Sequence, residues 1–518
     1  MKKYHLYLSI LILAHFLLFF FTGLFRHWGF LTSINDLGVF DQAIWGTLNG
    51  EFLLNTNQLN QRINWLSFHF HPILLIFLPF YLVHSSVVWL IAGQAFAISI
   101  AAWPIFLLAK RVLVSGAVSL MWAVIFLVNP FVLNAAAWDF HPITMAVPFV
   151  ALGMLAVELK NFKMLLFCSL FILLCKEHLG IMVVGFGLLW WLKNKEMKKG
   201  LILGGIGLIV FYLVLMVIMP YFSPTGNHIM ISEGHGHLSR YSWLGNSLDE
   251  IIKRIISDPI KIARIVLFPM GGLFYLILLF VPFFILPLLN PILLLPAFAD
   301  LGTNLLSSIS MPRLPVSYHS ATIIPILVAA SIYSLKIVKN SIFKKSNIMI
   351  LTLMIFIFSI LFGYKLSPFP LFGTLNFWAA KSYFCVEDRR IEEIKKLTGN
   401  NSSLSVQANI GSYFSQRQEI YRFPEKLGDA KGIILYLDSP TKKLEPINPG
   451  ALGTLSDHLQ LSIPYYLLII EKLLSSEKYN IVYWNDPWLV FSSEKNIPKI
   501  KKNEVIKKIK ELRKKWLK

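Results

Sequence analysis

The stretch Ser33-Ile34-Asn35-Asp36-Leu37-Gly38-Val39-Phe40-Asp41-Gln42 follows the first long apolar segment and begins an amphipathic helix. From Leu37 onward its apolar residues recur at helical spacing and form one stripe. Asp41 falls inside that stripe, so its carboxylate needs a partner, a water-filled cleft or a chemical role. We interpret Asp41 as functional. For Asp36 two interpretations stay open, a helix N-cap or a catalytic carboxylate.

The composition is that of a protein dissolved mainly in lipid. Of the 518 residues 56% are hydrophobic, and the mean hydropathy is +0.62. The first apolar run, which reaches Phe25, is too long for a signal peptide and has no small-residue cleavage site after it, so it predicts a retained signal anchor. Much of the net charge of +20 lies in short clusters between apolar runs. This pattern indicates membrane topology and argues against a nucleic-acid partner.

The alternation of apolar runs and basic clusters predicts about 11 membrane spans. If the basic clusters face the cytoplasm, the N-terminus is cytoplasmic and the C-terminus is outside. The spans 163–176 and 179–192 are short for a hydrocarbon core of about 30 Å, but basic residues on both flanks require an even number of crossings. We therefore predict a hairpin with Lys176-Glu177-His178 at its outer turn. The predicted spans are 4–25, 86–109, 112–134, 142–159, 163–176, 179–192, 200–220, 267–288, 291–306, 320–338 and 347–366.

The predicted fold class is mainly α, with a polytopic transmembrane helical bundle and a small C-terminal α/β extracytoplasmic domain. The bundle covers 1–370 and includes a long first outer loop, 26–85; the α/β domain covers 371–518 and ends in a basic helix, 501–518. We predict that this helix is exposed to solvent; the alternative is that it lies on anionic lipid. Helices are expected near 386–398 and 461–476. Strands are expected at 403–407, 419–423, 432–437, 480–484 and 488–492.

In this topology the ionisable residues near membrane depth all fall on the outer side. A random scatter would not do so, and such residues are functional candidates, so we predict one polar cleft that opens outward. The alternative is that some of them are interfacial side chains extending to lipid headgroups. The set comprises Asp36, Asp41, His69, His71, Asp139, His141, Lys176, Glu177, His178, Asp300, Arg313 and His319.

Two further patterns lie in the outer loops. The tripeptide Phe-His-Pro occurs at Phe70-His71-Pro72 and at Phe140-His141-Pro142, each time at the outer start of a predicted helix. We interpret the pair as two helix entrances that face the same cavity. The second outer loop, 221–266, contains Glu233-Gly234-His235-Gly236-His237, which could bind a metal. A loop loosened by glycine that covers the cleft is the favoured interpretation.

Several strings together resemble a known family. They are Asn35 to Gln42, Phe70-His71-Pro72, Lys176-Glu177, Asn304-Leu305-Leu306-Ser307 and Tyr318-His319-Ser320-Ala321. Their order and spacing, over roughly 1–440, resemble an uncharacterised family of predicted membrane proteins (domain of unknown function 2079). That family is in turn similar to the GT-C superfamily of integral-membrane glycosyltransferases. Members of the superfamily have a multi-span bundle, a long first outer loop with an acidic residue, and usually a soluble outer domain.

The GT-C resemblance implies transfer of a sugar from a polyprenyl-phosphate donor to a glycan, lipid or protein acceptor on the extracytoplasmic face of the cell membrane. It implies that Asp36 is the catalytic base and that Asp41 is its neighbour. His71-Pro72 resembles the His-Pro-Pro or Lys-Pro-Pro element of some members, with Ile73 in place of the second proline. Asp139 lies where a second outer-loop acid is often found. The Asp-x-Asp pattern of the superfamily is absent. No metal ligand is therefore assigned, and a divalent metal is left open as a cofactor.

The chemistry of such a transfer requires a base for the acceptor hydroxyl and positive groups at the departing phosphate. The candidates for the phosphate, in order of preference, are Lys176, Arg313, His319 and Arg62. The remaining predicted substrate-binding residues are His69, His71, Asp139, His141 and Glu177. The alternatives are a secondary transporter or flippase and a non-catalytic assembly protein. A transporter is disfavoured because the charges lie at one face of the membrane and not near its midplane.

Overall fold

The computed structural model describes residues 2–56, 60–229, 240–341, 345–375, 378–446, 453–494 and 502–518. The chain is mainly helical with a few strands. Contacts between residues divide it into two compact units. Unit 1 comprises Met1–Phe20, Leu66–Ile73 and Ala92–Asn376, and unit 2 comprises Phe21–Trp65, Leu74–Ile91 and Phe377–Lys518.

Unit 1 is built of apolar helices. Lys2–Trp28 and Val88–Ile100 each begin in one unit and end in the other. The α-helices wholly within unit 1 are Ala102–Leu113, Gly116–Leu127, Pro130–Ala137, Val147–Leu159, Phe162–Leu173, Leu179–Asn194, Met197–Leu213, Met219–Phe222, Leu248–Ser257, Pro259–Leu267, Gly272–Phe280, Phe298–Leu306, Ile323–Ser341 and Lys345–Lys365. A π-helix lies at Val214–Ile218, and 3-10 segments lie at Pro142–Ala146, Val281–Phe283, Leu286–Leu289, Pro291–Ala297 and Met311–Arg313.

Among the described residues, five helical stretches are long and apolar enough to cross a membrane. They are Lys2–Trp28, Val88–Leu113, Pro142–Leu159, Met197–Phe222 and Ile348–Lys365. Two bent pairs, Gly116–Leu127 with Pro130–Ala137 and Pro259–Leu267 with Gly272–Phe283, raise the number to as many as seven. The sequence predicted about 11 spans; several of the others correspond to shorter apolar helices. The protein is therefore a membrane protein with several apolar helices in a lipid bilayer.

The hairpin predicted for 163–192 is present as the helices Phe162–Leu173 and Leu179–Asn194. The second of these packs closely on Met197–Leu213 because glycines lie between the two backbones. A Cβ atom at Gly187 would lie only 2.6 Å from the carbonyl oxygen of Gly200. Close backbone approach through small residues is typical of helix pairs in membranes. This packing fixes the helix that directly follows Lys176-Glu177-His178.

Unit 2 contains two sheets. Strands β1 (Leu54–Asn55) and β2 (Ile63–Asn64) form a short antiparallel pair. The larger sheet consists of β3 (Leu404–Val406), β4 (Ile420–Arg422), β5 (Gly432–Tyr436), β6 (Asn480–Asn485) and β7 (Trp488–Ser492) in the order β4-β3-β5-β7-β6. β3 is parallel to β4 and β5, whereas β7 is antiparallel to β5 and β6. All five strands overlap the strands predicted after residue 370, so this part of the prediction is confirmed.

Helices cover both faces of the larger sheet. Ile463–Ser475 and Lys502–Trp516 pack on one face, where residues such as Ile433 are buried between them. Arg390–Thr398 packs on the other face. The C-terminal basic helix is therefore not simply exposed to solvent as predicted, because its apolar side is packed in the core. The remaining helical segments of unit 2 are Ile34–Gly38 (a π-helix), Val39–Leu48, Leu78–Val83, Gly411–Tyr413 and Leu455–Leu459.

Residues of the segment 26–85, which the sequence predicted to be the first outer loop, complete unit 2. The amide of Ile34 donates to the carbonyl oxygen of Ala408 at 2.9 Å. The hydroxyl of Thr56 donates to the carbonyl oxygen of Ile420 at 2.6 Å, and the amide of Ile420 donates back to that hydroxyl at 3.0 Å. A loop segment with backbone hydrogen bonds of this kind is part of the folded unit and not a flexible connection.

Candidate functional site

In unit 1, the segment before Pro72 is held against the turn of the hairpin. Pro72 cannot donate a backbone hydrogen bond and disfavours a helical conformation in the residue before it. Around it, the amide of Ile73 donates to the carbonyl oxygen of Leu174 at 3.0 Å. The amide of Phe70 donates to one carboxylate oxygen of Glu177 at 3.2 Å. Two segments far apart in sequence are thereby fixed side by side.

This arrangement gathers three side chains, His69, His71 and Glu177, which we call the histidine–glutamate cluster. Nδ1 of His69 lies 3.0 Å from a carboxylate oxygen of Glu177, and because a carboxylate only accepts, Nδ1 carries the hydrogen. The two imidazole rings are nearly parallel, with centroids 5.2 Å apart. His69 and His71 are buried, and the side chain of Glu177 is only 10% exposed. One ligand atom from each residue lies within 4.8 Å of the other two.

Electrostatics keep the cluster in a defined protonation state. Burial alone would raise the pKa of Glu177, but His69 and Lys176 outweigh it and hold that pKa well below its usual range. Burial, followed by the nearby His69, holds the pKa of His71 well below its usual range. Glu177 is therefore an anion and His71 a neutral imidazole at physiological pH. These are the forms in which a carboxylate and an imidazole bind a metal ion.

Two cations border the cluster. Lys176 is partly buried, and its ammonium group is attracted by Glu177 and repelled by Arg240. The second cation is Arg240. In the part of the chain that the structure describes, neither Lys176 nor Arg240 forms an ion pair with another side chain. The carbonyl oxygen of Arg240 accepts a hydrogen bond from the amide of Ser308 at 2.7 Å, which fixes the backbone there. Lys176 was predicted from the sequence, whereas Arg240 was missed because it lies in a loop with no helical pattern.

The second Phe-His-Pro element is held by Gln94, which the sequence did not indicate. The side-chain oxygen of Gln94 accepts from the amide of His141 at 2.9 Å, and its amide donates to the carbonyl oxygen of Trp138 at 2.7 Å. Nδ1 of His141 lies 3.0 Å from the carbonyl oxygen of Asp139, and its ring stacks on Tyr318 with centroids 3.6 Å apart. The charge of His141 acts on the histidine–glutamate cluster by lowering the pKa of His71.

Both prolines of the Phe-His-Pro elements begin 3-10 helices, Pro72–Phe77 and Pro142–Ala146. The predicted helix entrances are therefore present at both positions. A proline at the first position of a helix loses no hydrogen bond there and its fixed φ suits the helix.

Arg313 and His319 are engaged within unit 1. The guanidinium group of Arg313 is buried and donates to the carbonyl oxygens of Asn304, at 3.0 Å, and Ser307. Nδ1 of His319 lies 2.9 Å from the hydroxyl of Ser317. Arg313 thus joins the end of one helix to the following loop. Because Arg313 and His319 are engaged in these hydrogen bonds, Lys176 and Arg240 are the better candidates to bind an anionic ligand.

In unit 2, both carboxylate oxygens of the buried Asp41 are occupied. One accepts from the hydroxyl of Tyr81 at 2.8 Å and from the side-chain amide of Gln416 at 3.1 Å. The other accepts from the hydroxyl of Ser415 at 2.6 Å. Burial outweighs these hydrogen bonds and raises the pKa of Asp41. The carboxylate within the apolar stripe is therefore hydrogen-bonded by partners from two other segments of the unit.

The other two predicted residues of unit 2 are less buried. Asp36 lies in the π-helix Ile34–Gly38, but the cap of that helix is Ser33, whose hydroxyl accepts from the amide of Asn35 at 3.1 Å. The N-cap interpretation of Asp36 is therefore wrong. Arg62 is 41% exposed and forms an ion pair with Glu51.

The structure thus distributes the predicted site residues over both units. Unit 2 contains Asp36, Asp41 and Arg62, and unit 1 contains His69, His71, Asp139, His141, Lys176, Glu177, Arg313 and His319. Of these, His69, His71, Lys176 and Glu177 are gathered at one place. The glycine- and histidine-rich loop predicted at 233–237 lies outside the described residues.

The fold and the cluster define a polytopic helical membrane protein with a buried polar site in its apolar unit. Residues 26–438 match the family model described as "Predicted membrane protein (DUF2079)", and the chain belongs to this family. The resemblance to that family inferred from the sequence is thereby confirmed. No curated protein matches the chain.

Proposed function

We propose that this protein is a GT-C-like membrane glycosyltransferase that moves a sugar from a polyprenyl-phosphate donor to an acceptor on the extracytoplasmic face. In this proposal the chain crosses the membrane about 11 times, with a cytoplasmic N-terminus. Residues 1–370 form the bundle, and the domain 371–518 lies outside the cell membrane. The acceptor is a glycan, a lipid or a protein.

The observation that carries the proposal is the pair of cations at the hairpin turn. Lys176 and Arg240 act on each other electrostatically, and no ion pair of their own to another side chain neutralises them among the described residues. Glu177 and Asp300 attract Lys176 but form no ion pair with it, and an anion bound between Lys176 and Arg240 would relieve the repulsion between these two cations. The flanking helices are apolar and short, which suits an anion attached to a lipid chain. A polyprenyl phosphate has both properties.

The reaction requires a base as well as this anion site. The oxygen of the acceptor hydroxyl attacks the anomeric carbon, the bond from that carbon to the phosphate oxygen breaks, and the phosphate leaves with the electron pair. The proton of the hydroxyl passes to a carboxylate, for which we propose Asp36. Asp41 is assigned a positioning role because its two oxygens already accept three hydrogen bonds.

Donor binding tests the proposal directly. The full chain is purified in lipid nanodiscs, and binding of a polyprenyl phosphate is measured by native mass spectrometry. We expect Lys176→Ala and Arg240→Ala each to weaken binding about 10- to 100-fold, because charge-assisted hydrogen bonds contribute about 1.5–3 kcal/mol. Lys261→Ala is the matched control, since Lys261 is an exposed cation of the same unit. Equal binding by all four proteins contradicts the proposed anion site.

A transfer assay separates the enzyme from its alternatives. Proteoliposomes receive a polyprenyl-phosphate donor with a labelled sugar and membrane extracts that supply acceptors. We expect Asp36→Asn to abolish transfer while donor binding is retained, because only the proton acceptor is removed. Unchanged transfer by this variant contradicts the role of Asp36. Bidirectional flux of the labelled compound without transfer would instead identify a transporter or flippase.

A further inference from the structure

We propose that His69, His71 and Glu177 bind a divalent transition-metal ion, with Zn²⁺ as the best match. The sequence offered no Asp-x-Asp pattern, and no metal ligand was predicted from it. The inference goes beyond the proposed function and stands without it, because it concerns metal binding and not sugar transfer.

The donor set fits zinc chemistry. Two imidazoles and one carboxylate are the ligands of many catalytic zinc sites, in which a fourth position stays open to water or an anion. Oxygen-rich sites, by contrast, suit magnesium and calcium. The nitrogen ligands of His69 and His71 therefore favour zinc or a neighbouring transition metal.

The spacing also fits. With metal–ligand bonds of about 2.0–2.2 Å in a tetrahedral arrangement, two ligand atoms lie roughly 3.4 Å apart. One candidate ligand atom from each residue lies within 4.8 Å of the other two, and Nδ1 of His69 is already 3.0 Å from an oxygen of Glu177. When Nδ1 binds the metal ion, its hydrogen is replaced by the metal and the imidazole carries its proton on Nε2. Small rotations of the side chains therefore suffice, and the backbone need not move.

The surroundings hold the ligands in place. The second oxygen of Glu177 accepts from the amide of Phe70, so this carboxylate cannot turn away from the imidazoles. Support of this kind is what orients ligands in metal sites. The cations Lys176 and Arg240 oppose a dication, so we expect weaker binding than at structural zinc sites and an anion or hydroxide at the fourth position.

Metal analysis of the full chain tests the inference. The protein is purified without a polyhistidine tag, and Zn²⁺, Mn²⁺ and Co²⁺ are titrated separately, with bound metal measured by plasma mass spectrometry. We expect about one Zn²⁺ per chain, and Co²⁺ binding with the visible absorption of a tetrahedral site. Fewer than about 0.1 equivalents of every metal at saturating concentration overturns the proposal.

Variants locate the site. His71→Ala and Glu177→Gln should each weaken Zn²⁺ binding at least tenfold, whereas His84→Ala, which removes an exposed histidine, should not. Glu177→Gln keeps the shape of the side chain, so it guards against misfolding in the alanine variant, and size-exclusion chromatography checks each protein. Zinc binding that is equal in all four monodisperse proteins overturns the assignment to this cluster. Loss in the first two variants alone supports it.

Discussion

The substitution Asp41→Ala is predicted to loosen unit 2 without touching its apolar core. It removes the acceptor of three hydrogen bonds, from Tyr81, Ser415 and Gln416, and leaves the buried hydroxyl of Tyr81 without this acceptor, whereas Ser415 keeps its hydrogen bond to the carbonyl oxygen of Ser412. Hydrogen bonds to a charged group contribute about 1.5–3 kcal/mol each to stability. Burial of the carboxylate itself costs free energy, so its removal offsets part of the stability that is lost with the hydrogen bonds. We therefore expect a net loss of about 3 kcal/mol in the free energy of local opening.

Hydrogen–deuterium exchange on the full chain measures this loss. A decrease of about 3 kcal/mol corresponds to roughly 150-fold faster exchange in segments that open locally. The segments to follow are Val39–Leu48 and Gly411–Arg422, which include Asp41 and its partners Ser415 and Gln416. Asp429→Ala is the control, because the side chain of Asp429 is 79% exposed in the same unit.

Two results would refute this reasoning. If exchange in both segments is unchanged in Asp41→Ala, the hydrogen bonds do not hold the unit together. If exchange is unchanged but the sugar transfer that we propose is lost, Asp41 has a chemical role and not a positioning one. Faster exchange that is confined to these segments supports the positioning role.

Three more predictions follow from the packing and the charges. Burial raises the pKa of Asp41, so the folded state favours the protonated carboxyl group. The melting temperature should therefore fall as pH rises through that raised pKa, and Asp41→Asn should remove this dependence on pH. Hydrogen bonds from Arg390 and Trp488 outweigh burial and lower the pKa of Asp388, so the stability that ionised Asp388 contributes should be lost as pH falls through that lowered pKa. The variant Asp388→Asn should be less stable at pH 7 and should not show this loss of stability in acid. An unaltered acid-unfolding profile would contradict the role of these hydrogen bonds. Gly187→Val should lower the melting temperature and yield of the full chain, because its Cβ would meet the backbone of the next helix, whereas Gly205→Ala, where nothing lies within 4 Å, should not.

Periodicity and composition predicted the elements well. The strands after residue 370 and the helices of the hairpin follow from local patterns, namely short β-rich runs and apolar runs between basic clusters. The number of spans was harder to predict, since apolar segments such as Phe162–Leu173 are too short to cross a membrane by themselves. The domain limits 1–370 and 371–518 stay a prediction.

The site was predictable only in part. The sequence singled out His71 and Glu177 as ionisable residues near membrane depth, but it could not show that they meet, because His69 and Glu177 are 108 positions apart. Arg240 and Gln94 carried no signal of their own: one lies in an irregular loop and the other among apolar residues of a helix. For Asp41 the sequence correctly indicated the need for a partner, but two of its three partners, Ser415 and Gln416, lie more than 370 residues away.

The pairing of Thr56 with Ile420 has a consequence for biosynthesis. Ile420 lies 364 residues after Thr56, so the ribosome completes the early segment long before it makes the residue that pairs with it. During that interval the donors and acceptors of Ile34 and Thr56 must be satisfied by water or by a chaperone. A chain truncated before the final sheet would therefore leave its own beginning unfolded.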